Sequence, residues 1–73
     1  MTGQPEDLLR RSFRLAGHRT SLSLERAFWD ALKAYAEADG RSMTSIIAAI
    51  DESRTTALSR AVRVYLLRRA LAQ

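Results

Sequence analysis

Apolar and polar residues alternate most cleanly over Arg19–Leu24. Thr20, Leu22 and Leu24 fall on one side of an extended chain and Arg19, Ser21 and Ser23 on the other, the period of two that marks a half-buried β-strand. The main-chain N–H and C=O groups of such a strand need partners. No second strand stands out downstream. The pattern therefore predicts one short strand, about 19–24, in a mainly α-helical chain, paired with the same strand of a second copy across a two-fold axis. That pairing would present Arg19, Ser21 and Ser23 twice on a narrow polar ribbon with basic ends, a surface that fits a DNA major groove.

Upstream, Ser12–Ala16 alternates as well, but Phe13 and Leu15 are odd-numbered, like the polar side of the strand. One regular strand through both segments would put these apolar residues on the polar face. An extra residue at Gly17 restores the register. Ser12–Ala16 thus reads as an extended arm, strand or not, hinged at Gly17-His18, at the start of a domain spanning 12–73. Residues 1–11 read as a flexible N-terminal arm, with Met1–Pro5 a tail and Glu6–Arg11 at most one helical turn that nothing obvious holds.

Beyond the strand the period changes. Phe28, Leu32, Tyr35 and Ala36 fall at i, i+4, i+7 and i+8, the stripe of an amphipathic helix over about 25–39, with Trp29 beside it. Glu25 and Asp30 favour the positive end of its dipole, and Gly40 suits the residue that ends it. Ser42 caps a second helix, about 43–53, whose apolar side is Ile46, Ile47 and Ile50. Asp51–Arg54 is polar, and Thr55-Thr56 can cap a new start. A third segment, about 56–71, either begins afresh or continues one long kinked helix, because no Gly or Pro follows Gly40. Ala57, Leu58, Ala61, Val62, Val64, Tyr65 and Leu67 form its apolar face. Arg60, Arg63, Arg68 and Arg69 read most simply as its solvated face.

Composition narrows the possibilities. Seventy-three residues make one domain, and so small a core usually needs disulfides, a metal or oligomerisation. Cysteine is absent and there is one histidine, so oligomerisation is the expected route; the cysteine count suits a reducing cytoplasm. No apolar run approaches a membrane span, and the N-terminus lacks the apolar region of a signal peptide. The formal charge is +4, and of twelve basic residues only Lys33 is lysine. Arginine forks toward phosphate and guanine edges better than lysine does, although such a bias also follows from genome composition. No nucleophile–base constellation or phosphate-cradling glycine loop is present, so no enzyme, cofactor or metal site is expected. Asp51 and Glu52 point about 100° apart on a helix and read as surface charge. His18 reads as a turn residue, and Trp29 and Tyr35 as core or interface aromatics.

Three stretches carry a resemblance: Thr20-Ser21-Leu22-Ser23-Leu24-Glu25, then Phe28-Trp29-Asp30-Ala31-Leu32-Lys33, then Gly40-Arg41-Ser42 before an Ile-rich helix. They resemble a ribbon-helix-helix DNA-binding domain of the MetJ/Arc type. Gly17-His18-Arg19-Thr20-Ser21, with Ile50-Asp51 and Leu58–Val64, is similar to a mostly uncharacterised bacterial subgroup. The match runs roughly from Ser12 to Leu67 without gaps between strand, first helix and glycine turn.

The resemblance implies an intertwined homodimer whose intermolecular two-stranded antiparallel ribbon enters the major groove of double-stranded DNA, as in a transcriptional regulator. Arg19, Ser21 and Ser23 are then the base-contacting residues. The start of the second helix, Ser42, Met43 and Thr44 with neighbouring Arg41, grips phosphate. Exposed N–H groups at a helix start attract an anion on their own account. Many members end after one long second helix, whereas Thr55–Leu71 continues here, as an extension of the dimer interface or as a site for a protein partner. Two other functions stay open: the antitoxin of a toxin–antitoxin pair, and a dimeric interaction module that binds no nucleic acid.

Overall fold

The computed structural model describes residues 3–73 as two strands followed by three helices: β1 (Leu8–Leu15), β2 (His18–Glu25), α1 (Arg26–Asp39), α2 (Met43–Ser53) and α3 (Leu58–Leu71). Met1 and Thr2, part of the expected tail, lie outside the described residues.

The expectation of one short strand is overturned. β1 begins inside the stretch that reads as an N-terminal arm and pairs antiparallel with β2 in the same chain, from Leu8 opposite Glu25 to Leu15 opposite His18. The mate lies upstream of Arg19, and the ribbon closes within one molecule. Ala16 and Gly17 join the strands at φ of 49° and 83°. Positive φ at both central residues is the requirement of a type I′ two-residue turn, whose twist matches that of the strands.

This register also removes the parity conflict. Partners sum to an odd number, so Phe13 faces Thr20 and Arg11 faces Leu22. Odd residues of β1 and even residues of β2 therefore share one face, and no extra residue is needed at Gly17. Leu9, Phe13, Leu15, Leu22 and Leu24 turn inward together.

Gln4–Asp7 forms a turn in place of the suspected helical turn, closed by the Asp7 N–H donating to the Gln4 carbonyl at 3.1 Å. Glu25, the N-cap of α1, offers no side-chain hydrogen bond to the helix. The first helix donors are met by the upstream chain. Arg26 N–H donates to the Asp7 carbonyl at 2.8 Å and Ala27 N–H to the Pro5 carbonyl at 2.9 Å. An end that would carry orphan donors is thus closed by main-chain acceptors.

The three helices pack on the apolar face of the hairpin. The core comprises Leu15, Leu22 and Leu24 from the strands, Trp29, Leu32 and Ala36 from α1, Ile46 and Ile47 from α2, and Val62 and Leu66 from α3. Trp29 belongs to the buried stripe, while Phe28 and Tyr35 flank it half-buried. Gly40 ends α1 at φ 64°, its N–H donating to the carbonyls of Ala36 and Glu37, as a left-handed C-terminal residue does.

The polar stretch after α2 breaks the helix. Arg54 is extended, and its side chain donates to Asp51 Oδ1 at 2.7 Å and to the Thr56 carbonyl at 2.6 Å. α3 then starts from Ala57 without a side-chain cap, so the capping role expected of Thr55-Thr56 is not taken up. No helix among the described residues is long and apolar enough to cross a membrane.

Candidate nucleic-acid interface

The face of the hairpin turned away from the core is built from both strands. β2 contributes Arg19, Ser21 and Ser23, and β1 contributes Arg14, Ser12 and Arg10 directly opposite them. All are exposed except Ser23, which is half-buried. The second trio escapes a reading of the sequence that treats β1 as an arm. The signal that finds it is the alternation Arg10-Ser12-Arg14, complementary to Leu9, Phe13 and Leu15.

The Arg26–Asp7 hydrogen bond shows which pairs of this ladder are bonded. Residues 7 and 26 sum to 33, as do the strand partners, and antiparallel pairs alternate between bonded and non-bonded. Arg14–Arg19, Ser12–Ser21 and Arg10–Ser23 are therefore non-bonded pairs, the kind with Cα atoms only about 4.5 Å apart. Two guanidinium groups directly across a ladder repel each other, a destabilising arrangement in the free protein. The main-chain groups of Arg19, Ser21 and Ser23 point away from β1. Among the described residues the sheet has two strands, so they line its open edge.

On the opposite side of the hairpin Arg11 lies over the Trp29 ring, 5.1 Å from its centroid. Phe13 stacks on Trp29 with centroids 5.8 Å apart. These contacts anchor the ribbon to α1. His18 is exposed at the turn, opposite Leu15.

No hydrogen bond or ion pair among the described residues links the start of α2 to the ribbon. Ser42 Oγ accepts from the Ser45 N–H at 3.0 Å, a side-chain N-cap. Arg41 folds along the first turn, donating to Ser45 Oγ from Nη2 at 2.8 Å and to the Ser45 carbonyl at 3.1 Å. Thr44 is exposed and Met43 half-buried.

Two of the four α3 arginines are structural ties and not simply a solvated face. Arg69 grips both carboxylate oxygens of Asp39, donates to Tyr65 Oη at 3.0 Å and lies over the Tyr35 ring at 4.4 Å. Its hydrogen bonds hold the Asp39 carboxyl below the usual carboxylate range, and Asp39 raises the Arg69 pKa in turn. Arg63 donates to Glu25 Oε1 at 3.1 Å, joining α3 to the end of β2. Glu25 is likewise held below the ordinary carboxylate value, first by a backbone hydrogen bond and then by Arg63. Sequence alone could not pair residues thirty or more positions apart. Among the described residues no group of three or more His, Cys, Asp or Glu side chains is placed to hold a metal.

Comparison with known proteins agrees with this architecture. The chain is similar to the solved structure of an uncharacterized protein from Bordetella pertussis Tohama I, at 30% identity and a TM-score of 0.79. The match covers 92% of this chain and 58% of that one, so this chain spans little more than half the length of that relative. No curated protein matches. A family model described as a ribbon-helix-helix domain matches residues 8–70, taking in β1 and nearly all of α3. The third helix is thus part of the matched domain and not an addition to it. By that match, the chain belongs to the ribbon-helix-helix domain family.

Proposed function

We propose that this protein is a sequence-specific double-stranded DNA-binding protein, a bacterial transcriptional regulator acting in the cytoplasm. The observation that carries the reading is the cationic outer face of the hairpin, above all Arg14 set directly opposite Arg19. A like-charge pair costs stability in the free protein and gains an attractive partner when a polyanion arrives. Membership of a family typically made of DNA-binding regulators and antitoxins supports it.

In this reading two copies join along the open edge of β2, giving the strand order β1-β2-β2-β1. The two β2 strands form the central ribbon. Arg19 forks to guanine O6 and N7 in the major groove, and Ser21 and Ser23 touch neighbouring base edges. The β1 strands lie about 4.8 Å further out, where Arg10 and Arg14 reach the phosphates that flank the groove. The free N–H groups of Met43 and Thr44, at the start capped by Ser42, take a further phosphate, with Arg41 beside them.

The test is binding selection from random duplexes, followed by anisotropy titration of the selected duplex over a salt series and a molecular-mass measurement. Expected are a dimer, affinity falling steeply with salt, and a loss of about 1–3 kcal/mol for Arg19→Ala that depends on the base pair it faces. Absence of binding to any duplex at low salt defeats the proposal.

A further inference from the structure

Helix α3 is apolar on two sides. Val62 and Leu66 are buried in the core, whereas Val64, Leu67 and Leu71 are 48%, 58% and 76% exposed. These three fall at i, i+3 and i+7, a single stripe along the outside of the helix. Beside the stripe, between the end of α2 and α3, runs an open groove of about 660 Å³. Ile50, Ala61, Val64 and Tyr65 give it an apolar floor, and Arg54, Arg60 and Arg68 stand around it.

The charges decide what fits. Leu58–Leu71 contains no acidic residue, and Arg63 and Arg69 are already engaged by Glu25 and Asp39. Arg68 has no ion pair or hydrogen-bond partner among the described residues, and Arg60 only a 3.5 Å contact with Thr56 Oγ1. A second copy packed with its α3 against this one would set Arg60 and Arg68 against arginines of its own kind, with no carboxylate on either α3. A DNA backbone would satisfy the arginines but offer nothing apolar to Val64, Leu67 and Leu71.

We propose that the α3 stripe and its arginine-rimmed groove dock an acidic amphipathic helix of a partner protein. Its apolar residues at i, i+3, i+4 and i+7 would cover Val64, Leu67 and Leu71, and its flanking carboxylates would take bidentate hydrogen bonds from Arg60 and Arg68. This surface lies on different elements from the polar face of the hairpin, and its occupation does not require DNA.

The experiment is an anisotropy titration of the full chain with two labelled helical peptides of about three heptads, both carrying Leu at the a and d positions. One has Glu at the flanking positions and the other Lys. The Glu peptide is expected to bind about tenfold or more tightly than the Lys peptide, and Arg60→Glu with Arg68→Glu to reverse that preference. Leu67→Asp should weaken the Glu peptide by about tenfold, and the milder Leu67→Ala by a smaller factor, with circular dichroism unchanged in both. Equal binding of the two peptides, or none, overturns the proposal. So does a fall in molecular mass on Leu67→Asp, which would assign the face to a second copy. Loss of duplex affinity in the Arg60/Arg68 variant with peptide binding intact would assign it to nucleic acid and equally overturn it.

Discussion

The indole Nε1 of Trp29 donates a 2.9 Å hydrogen bond to the main-chain carbonyl of Leu9, twenty residues earlier in the chain. Leu9 lies on β1 and Trp29 in the first turn of α1, so one side chain fastens the ribbon to the helical layer. With Phe13 stacked on one side and Arg11 over the ring, the indole is 3% exposed. Trp29→Phe should cost about 1 kcal/mol for the lost hydrogen bond and more for the smaller ring, and Trp29→Ala about 3–5 kcal/mol. Denaturant unfolding measures both. Coincident curves for Trp29→Phe and the parent protein would show that the bond contributes nothing.

Ala16 holds φ 49° in the turn, a conformation that costs an L-residue roughly 1–2 kcal/mol and glycine almost nothing. Ala16→Gly or Ala16→Asn should therefore raise stability, by about 0.5–1 kcal/mol. Gly17→Ala should lower it by about 1–2 kcal/mol, although a Cβ there meets no atom within 4 Å. Thermal melts of the three variants test the turn type directly, and a neutral Gly17→Ala would argue against it.

Acid should weaken the junction of α1 and α3. The Asp39 carboxyl is depressed by its hydrogen bonds from Arg69, so its folded pKa lies below its unfolded one. The resulting stabilisation is present above the unfolded value, near 3.9, and is lost as pH falls through the folded one. Glu25, depressed by its backbone hydrogen bond and by Arg63, acts in the same direction. Melting temperature should fall as pH drops below about 5, and Asp39→Asn should flatten that fall while lowering stability at neutral pH. An unchanged slope in Asp39→Asn would remove the pair from the account.

Arg14 opposite Arg19 sets stability against binding. Arg14→Ser relieves a like-charge pair and should stabilise the free protein by about 0.2–1 kcal/mol. On the DNA-binding reading it should also weaken duplex affinity and reduce the salt slope by about one. If both quantities stay unchanged, no anion sits between the two residues.

The open edge of β2 offers a test of the proposed dimer that leaves the hairpin in place. The Ser21 N–H points away from β1, so Ser21→Pro removes an edge donor without breaking the ladder within the chain. The expected result is a folded protein of monomer mass with weakened DNA binding. A folded Ser21→Pro dimer would mean that the copies meet elsewhere.

Much of this architecture is legible in the residues. The stripe of α2, the left-handed Gly40 and the Ser42 cap each rest on a local pattern that tertiary packing does not override, whereas the buried side of α1 keeps Leu32 and Ala36 but takes in Trp29 in place of Phe28 and Tyr35. The hairpin is half-legible. The period of two is visible on both sides of Gly17, but Ala16-Gly17 is a weak turn signal compared with Asn-Gly, and the parity shift looks like a bulge. A two-residue turn requires that shift, because residue i then faces 33 − i. Arg63 and Arg69 are hidden for another reason. A solvated arginine and one clamped on a distant carboxylate look alike in a helix pattern. The exposed Val64, Leu67 and Leu71 merge with the buried side, because Val62 and Leu66 are interleaved with Val64 and Leu67 along the chain.

The short link Ala16-Gly17 has a consequence for when the polar face exists at all. A ribbon assembled from two molecules forms only as fast as the molecules meet, and dilution takes it apart. Strands joined by two residues zip locally, on the microsecond scale of hairpins, whatever the protein concentration. Once its helices have packed on the strands, a single chain carries its arginines and serines side by side, however few chains there are.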